Sequence, residues 1–292
     1  MAALGNFDGV HLGHQRLMDD VRHRAAARGG TAVVLIFEPH PSLVIRPDKA
    51  PPLLMTLDQK LAAFALAGLD SVAIVRFTAD MARWEPEAFV ERVLIDWLRV
   101  SEVWVGENFL FGRDRTGTFT LLRALGQDRG FRTEKIDPVF YKDFVISSSR
   151  IRRLIVEGRV DEAAALLGHP YVIDGTVVAG DGRGRALGVP TANLSVVNPL
   201  LPAHGIYATR TRIDERWHPS VTSVGIRPTI GDNRLTVETH LLDGSRDLYG
   251  ARVSLAFVRW LREQRKFDDL AALTVQMLAD CDDARRVLAE VS

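Results

Sequence analysis

The pattern of apolar and polar positions changes character near Leu167. Before it, short apolar runs alternate with stretches of helical spacing. Thr31 to Phe37 (TAVVLIF) is continuously apolar and rich in β-branched residues, which predicts a strand buried on both faces. Ser71 to Phe77, Glu102 to Val105 and Thr133 to Ile136 predict further strands, and Met1 to Leu4 supplies the end of another. Helices are predicted over Gln15 to Arg28, Leu57 to Ala67, Ala88 to Leu98 with Pro86 at its start, and Phe119 to Arg129. Strands alternating with helices imply a doubly wound α/β domain with a parallel sheet, whose ligands sit beyond the carboxyl ends of the strands.

Beyond Gly168, His169 and Pro170 the pattern turns to short alternating strands. These are Tyr171 to Val178, Gly205 to Ile213, Ser220 to Val224, Leu235 to Leu242 and Arg252 to Arg259, with a polar helix from Asp269 to about Glu290. Alternation with turn residues and no helices between implies antiparallel sheet, most simply a small β-barrel closed by the C-terminal helix. Two domains are therefore expected, 1–167 and 168–292, as the length of 292 residues also suggests.

Composition narrows the function classes. Lys+Arg and Asp+Glu both count 37, so a general nucleic-acid or membrane-surface role has no support from net charge. The single cysteine, Cys281, excludes an internal disulfide and a Cys-based zinc site and fits a reducing compartment. No segment approaches the roughly 20 apolar residues of a membrane span. A soluble cytoplasmic protein, monomeric or weakly homo-oligomeric, is expected.

The candidate chemistry lies in loops that follow strands. GNFDGVHLGH, Gly5 to His14, runs from a strand through a glycine-bearing turn into a helix. Helix N-termini attract phosphate through unpaired N–H groups and a partial positive charge. His11 and His14, three apart, fall on one side of the first turn, and Gly13 leaves the backbone open to a close ligand. Asp8 and Gly9 suit the tight turn. Taken as H-x-x-H alone, the pair is equally half a metal site or a surface helix cap. Two further loops are FEPHP, Phe37 to Pro41, and GENFLFG, which offers Asn108 with Phe109 and Phe111, two rings suited to packing or to stacking on a flat ligand. In ISSSRIR, Ser147, Ser148 and Ser149 can cap a helix from Arg150 onward and donate to phosphate, while Arg152 carries a planar donor fork.

The second half has its own glycine-rich loop, GDGRGRALGVPTANL, with Gly180, Gly182, Gly184, Arg183 and Arg185. It is neither a Walker A loop nor a dinucleotide fingerprint, because no G-K-[ST] and no helix follow. The strand TVETHLLD places Glu238 and His240 on the face opposite Val237 and Thr239.

As G-x-F-D-G-x-H-x-G-H after a strand, the first motif resembles the nucleotidyltransferase superfamily, and in this ten-residue form the prokaryotic bifunctional riboflavin kinase/FAD synthetases. ISSSRIR resembles the second superfamily motif, PTAN the flavokinase motif, and VETHLLD its catalytic-base motif; VGIRPTIG, GIYA and LREQRKF also fit. The resemblance spans Gly5 to about Arg286 and implies a Rossmann-like nucleotidyltransferase domain followed by a flavokinase-like barrel. It implies ATP, riboflavin and FMN as small-molecule substrates and Mg²⁺ as cofactor, with Thr191 and Asn193 near the metal and Glu238 as kinase base. It also implies that Gly5, Phe7, Asp8, Gly13, Asn108, the serines 147–149, Arg152, Gly180, Gly182, Gly184 and Arg185 bind nucleotide or phosphate, with His11 and His14 catalytic in adenylyl transfer.

Ser149 stands where the motif has threonine, Val145 where these enzymes often carry a basic residue, and Val189 where phenylalanine often precedes the proline. A kinase with an impaired adenylyltransferase domain and a non-catalytic flavin-binding regulator are the alternatives. A class I tRNA synthetase is disfavoured, as no KMSKS-like run or basic tRNA-binding region is present. Only Met1 to Leu4 precede the first motif, so a native start upstream of Met1 is expected.

Overall fold

A computed structural model describes residues 1–180, 188–226, 235–244, 246–267 and 269–291. The chain divides into two compact units, Met1–Ser147 and Ser148–Ser292.

The first unit is built on a five-stranded sheet in the order β3-β2-β1-β4-β5. Its strands are β1 (Ala2–Leu4), β2 (Val33–Glu38), β3 (Ser71–Arg76), β4 (Glu102–Val105) and β5 (Arg132–Lys135), all parallel. β1 is short but central: Ala2 pairs with Val33 on one side and Val103 on the other, and Leu4 with Leu35 and Val105. The two-residue period of the strand separates two cores. Ala2 and Leu4 face Leu35, Phe89, Leu94 and Leu122, whereas Ala3 faces Met18, Val21, Ile36 and Phe64. The helices are α1 (Leu12–Ala26), α2 (Pro41–Ile45), α3 (Leu57–Leu66), α4 (Pro86–Phe89) and α5 (Phe119–Arg129). α4 runs on as a π-helix over Val90–Trp97, where the sequence predicts an ordinary helix. A two-stranded ribbon, β6 (Phe140–Tyr141) and β7 (Phe144–Val145), is not predicted, because two residues per strand carry no period.

In the second unit, β8 (Tyr171–Val178), β9 (Ala192–Val196), β10 (Gly205–Ile213), β11 (Arg216–Ile226), β12 (Leu235–Leu241) and β13 (Arg252–Arg262) close into an antiparallel barrel ordered β10-β11-β12-β9-β8-β13. β9 is absent from the sequence prediction; its Asn and Ser hide the alternation. Part of the barrel interior is polar: Thr209, Thr211, Ser220, Thr222 and Thr239 are buried and joined hydroxyl to hydroxyl at 2.7–3.3 Å. Such a network is tolerated because its members satisfy one another.

Two helices, α6 (Ser148–Val156) and α7 (Val160–Leu167), precede the barrel, and α7 packs on β8 and β13. They belong to the second unit, although the sequence pattern groups them with the first. The terminal helix α8 (Leu270–Glu290) is capped by Asp269, which accepts from the Ala272 N–H at 2.7 Å. Its Cys281, Ala284 and Leu288 pack against Ala208 and Val221, and Asp280 takes a two-pronged ion pair from Arg262 at 2.7 and 2.6 Å.

Candidate active sites

The first candidate site is the turn joining β1 to α1. Phe7 (φ 48°) and Val10 (φ 40°) both lie in the left-handed region. A β-branched residue is rarely found there, so the turn is held under strain by its surroundings. Gln15 Nε2 donates to the Val10 carbonyl at 2.8 Å, and the Phe7 ring is fixed edge-on between His14 (5.1 Å) and Phe64 (5.7 Å). Gly5 gives the Phe7 ring room, since a Cβ there would come within 3.1 Å of it.

His11 is the residue that caps α1 rather than a member of its first turn. Its Nδ1 accepts from the His14 N–H at 3.3 Å, which leaves the ring proton on Nε2 when the imidazole is neutral. The two imidazoles stack at 3.6 Å with 15° between planes, and Gly13 permits this, since a Cβ there would meet the His11 ring at 3.2 Å. Burial pushes the His11 pKa down to about 4, and burial together with neighbouring His11 and Lys60 holds His14 well below the ordinary range. Both rings are therefore neutral at pH 7. They can hold developing negative charge as N–H donors, not as cations.

Asp8 is buried, and its carboxylate accepts from the Leu54 N–H at 3.0 Å and the Met55 N–H at 3.2 Å. It thus ties the start of α3 to the turn. Asn108 is exposed in the loop after β4, at the carboxyl end of the sheet. Phe109 and Phe111 stack on each other at 5.5 Å and belong to the core, so they pack rather than present a free face. Ser147 closes the first unit, and α6 begins at Ser148, two residues earlier than expected, so Ser149 and Arg152 lie in its first turns. Val145 is exposed on β7.

The second candidate site lies on the barrel. Asn193 stands opposite Glu238 in the β9–β12 register, so their side chains share a face. The Thr191 hydroxyl donates to Glu238 Oε2 at 3.3 Å, and His240 Nδ1 bonds to the Pro190 carbonyl at 2.7 Å, tying the PTAN segment to β12. Thr191, Asn193 and Glu238 therefore offer hard oxygen donors side by side, which suits Mg²⁺ beside phosphates. Among the described residues no group of three or more His, Cys, Asp or Glu can hold a metal ion. A metal here needs help from phosphate oxygens and water.

Gly180 is essential to the packing, because a Cβ there would collide with the Asn193 amide. Gly182, Gly184 and Arg185 lie outside the described residues. A cavity of about 130 Å³ lies beside Thr191 and Asn193, lined also by Gly180, Thr239, Arg246 and Tyr249 among others but not by Glu238. Arg246 and Tyr249 line this cavity without having been singled out in the sequence, where they stand in the short segment after VETHLLD.

Comparison with known proteins matches a different family over each half of the chain. The FAD synthetase family model matches residues 1–150, and the riboflavin kinase family model matches 167–288. The bifunctional riboflavin kinase/FMN adenylyltransferase of Pseudomonas fluorescens is 37% identical over 99% of this chain and 93% of its own. That of Escherichia coli K12 is 36% identical over 95% and 89%, and that of Bacillus subtilis 34% over 97% and 91%. A solved structure described as a macrolide-efflux protein from Streptococcus pneumoniae superposes with a TM-score of 0.89 at 28% identity, covering 97% of this chain and 93% of that one. Among the described residues of the present chain, no helix is long and apolar enough to cross a membrane.

Proposed function

The chain belongs to the bifunctional riboflavin kinase/FMN adenylyltransferase family, and from that premise we propose how its residues share the two reactions. Riboflavin is phosphorylated by ATP to FMN, and FMN is then adenylylated by a second ATP to FAD with release of pyrophosphate. The observation that carries the assignment is the presence of two chemically different sites: stacked neutral imidazoles at a strained turn, and a carboxylate beside Thr191 and Asn193 on the barrel.

In the kinase reaction Glu238 takes the proton of the riboflavin 5′-hydroxyl as its oxygen attacks the γ-phosphorus in line and ADP leaves. Thr191 orients Glu238 through their hydrogen bond. Thr191 and Asn193 would hold Mg²⁺, which when bound neutralises charge on the phosphate oxygens. Gly180, Gly182, Gly184 and Arg185 would receive the ATP phosphates. In the adenylyl reaction the nucleophile, an FMN phosphate oxygen, is already anionic, so no general base is needed. It attacks the α-phosphorus of ATP while His11, His14 and the α1 N-terminus donate to the charge that develops. Gly5, Phe7, Asp8 and Gly13 shape that turn, and Asn108, Ser147, Ser148, Ser149 and Arg152 are assigned to the nucleotide by motif.

Functionally we place the boundary at Leu167/Gly168, with adenylyl transfer in 1–167 and the kinase in 168–292; the start of the riboflavin kinase match at residue 167 supports it. A cytoplasmic location fits the buried free thiol of Cys281. The aliphatic Val145, exposed on β7, favours a second reading in which the kinase is active and adenylyl transfer is weak. Incubation with ATP and Mg²⁺, supplying riboflavin and FMN separately and scoring FMN and FAD by chromatography, distinguishes the two: the first reading predicts both products, the second FMN alone.

A further inference from the structure

Lys60 is 2% exposed, in the second turn of α3. A lysine is almost never buried so completely without anionic company, since desolvation disfavours its charge. The surroundings show where it points. The chain entering α3 is tied to Asp8 through Leu54 and Met55, and the helix starts in a capping box of Thr56 and Gln59. One turn beyond Lys60, on the same helix face, Phe64 meets Phe7, whose ring edges His14. Lys60 therefore faces the GNFDGVHLGH turn. Burial pushes the Lys60 pKa down, and Asp8 from the turn and Glu38 from the end of β2 oppose that shift by favouring its ammonium. From α1 it is faced by His14, whose protonation it opposes, while His11 is influenced by Asp8.

We propose that the Lys60 ammonium is a positioning residue for adenylyl transfer, offsetting Asp8 and Glu38 so that a polyphosphate can settle against the turn. With both imidazoles neutral, Lys60 is the cation that this cluster holds against its two carboxylates. Without it, the negative charge of Asp8, which is hydrogen-bonded to the Leu54 and Met55 N–H groups, and of half-buried Glu38 is no longer offset by an ammonium near the turn. The proposal rests on the adenylyltransferase assignment above.

The test uses the full chain as Lys60→Met, Lys60→Arg, Glu38→Gln and the double variant Lys60→Met/Glu38→Gln, with KM for ATP and kcat measured for FAD formation from FMN. FMN formation from riboflavin and the melting curve serve as controls. Lys60→Met should raise KM for ATP by about tenfold or more, with a smaller change in kcat and the kinase rate kept. Lys60→Arg should restore most of the loss, Glu38→Gln should lower KM, and the double variant should return toward wild type. A purely structural lysine would give a loss that Glu38→Gln does not relieve, and that result overturns the proposal, as does a wild-type KM in Lys60→Met. If Lys60→Met does not fold, Glu38→Gln decides alone, and an unchanged or raised KM counts against the role. A wild-type chain that forms no FAD removes both this proposal and the assignment beneath it; one that forms FAD with a charge-insensitive KM removes only the role of Lys60.

Discussion

The Thr191 hydroxyl donates to Glu238 Oε2 at 3.3 Å, and Asn193 stands directly opposite Glu238 across β9 and β12. One antiparallel pairing thus brings Glu238, the proposed kinase base, and both oxygen donors of PTAN to a single face. Replacing Thr191 by Val keeps the shape and removes the hydroxyl. FMN formation should fall by roughly 10–10²-fold, as for loss of an orienting hydrogen bond, while FAD formation from supplied FMN is unchanged. Steady-state assays of the two half-reactions on one preparation check this.

A second prediction follows from the contact of Gly180 with Asn193. A methyl group at Gly180 occupies the space of the Asn193 amide, so Gly180→Ala must displace that side chain or the loop. The expected outcome is a roughly tenfold or greater loss of kinase turnover, a raised magnesium requirement, and no change in adenylyl transfer. A magnesium titration of FMN formation reads it; an unaltered titration would show that Asn193 does not serve the metal.

The architecture was legible in the chain because its two halves have different periods. The apolar run Thr31 to Phe37 reads as a doubly buried strand, found as Val33–Glu38, and the alternation after Gly168 reads as an antiparallel sheet. The nearness of His11 and His14 was legible from their spacing, whereas Asn193 was singled out only by the resemblance of PTAN to the flavokinase motif. What stayed hidden depends on contacts distant in sequence. Nothing near Asp8 announces that the backbone of Leu54 and Met55 will occupy its oxygens. Nothing in H-x-G-H shows that the rings will be buried enough to lose their charge. The placing of α6 and α7 with the barrel follows from packing of α7 on β8 and β13, which no local pattern records.

The neutral state of His11 gives a pH signature. Its folded pKa of about 4 lies below the ordinary histidine value, so the unfolded chain binds a proton that the folded one refuses. Stability is then full above pH ~6.5 and declines as pH falls toward ~4, by up to about 3 kcal/mol for this one group. Denaturant unfolding of wild type and His11→Asn at pH 7.5 and 5 should show a smaller acid loss in the variant. Equal losses would mean that His11 is not the group responsible.

Asp8 anchors the buried Leu54 amide and the half-buried Met55 amide, and Asp8→Ala leaves both N–H groups without that acceptor. The first unit should lose about 1–3 kcal/mol, and hydrogen exchange at those two amides should accelerate markedly. FAD formation should fall with the loosened turn, whereas the barrel and FMN formation should be untouched. Protection of both amides equal to that in wild type would contradict the anchoring role.

The central claim is that one chain carries two reactions on two separate sets of residues. The most direct measurement compares His14→Ala and Glu238→Gln, each supplied with riboflavin and with FMN in the presence of ATP and Mg²⁺. A crossover is expected: His14→Ala loses FAD formation by roughly 10²-fold or more and keeps FMN formation, and Glu238→Gln does the reverse. Loss of both activities in either variant, with the fold intact by melting, would contradict it.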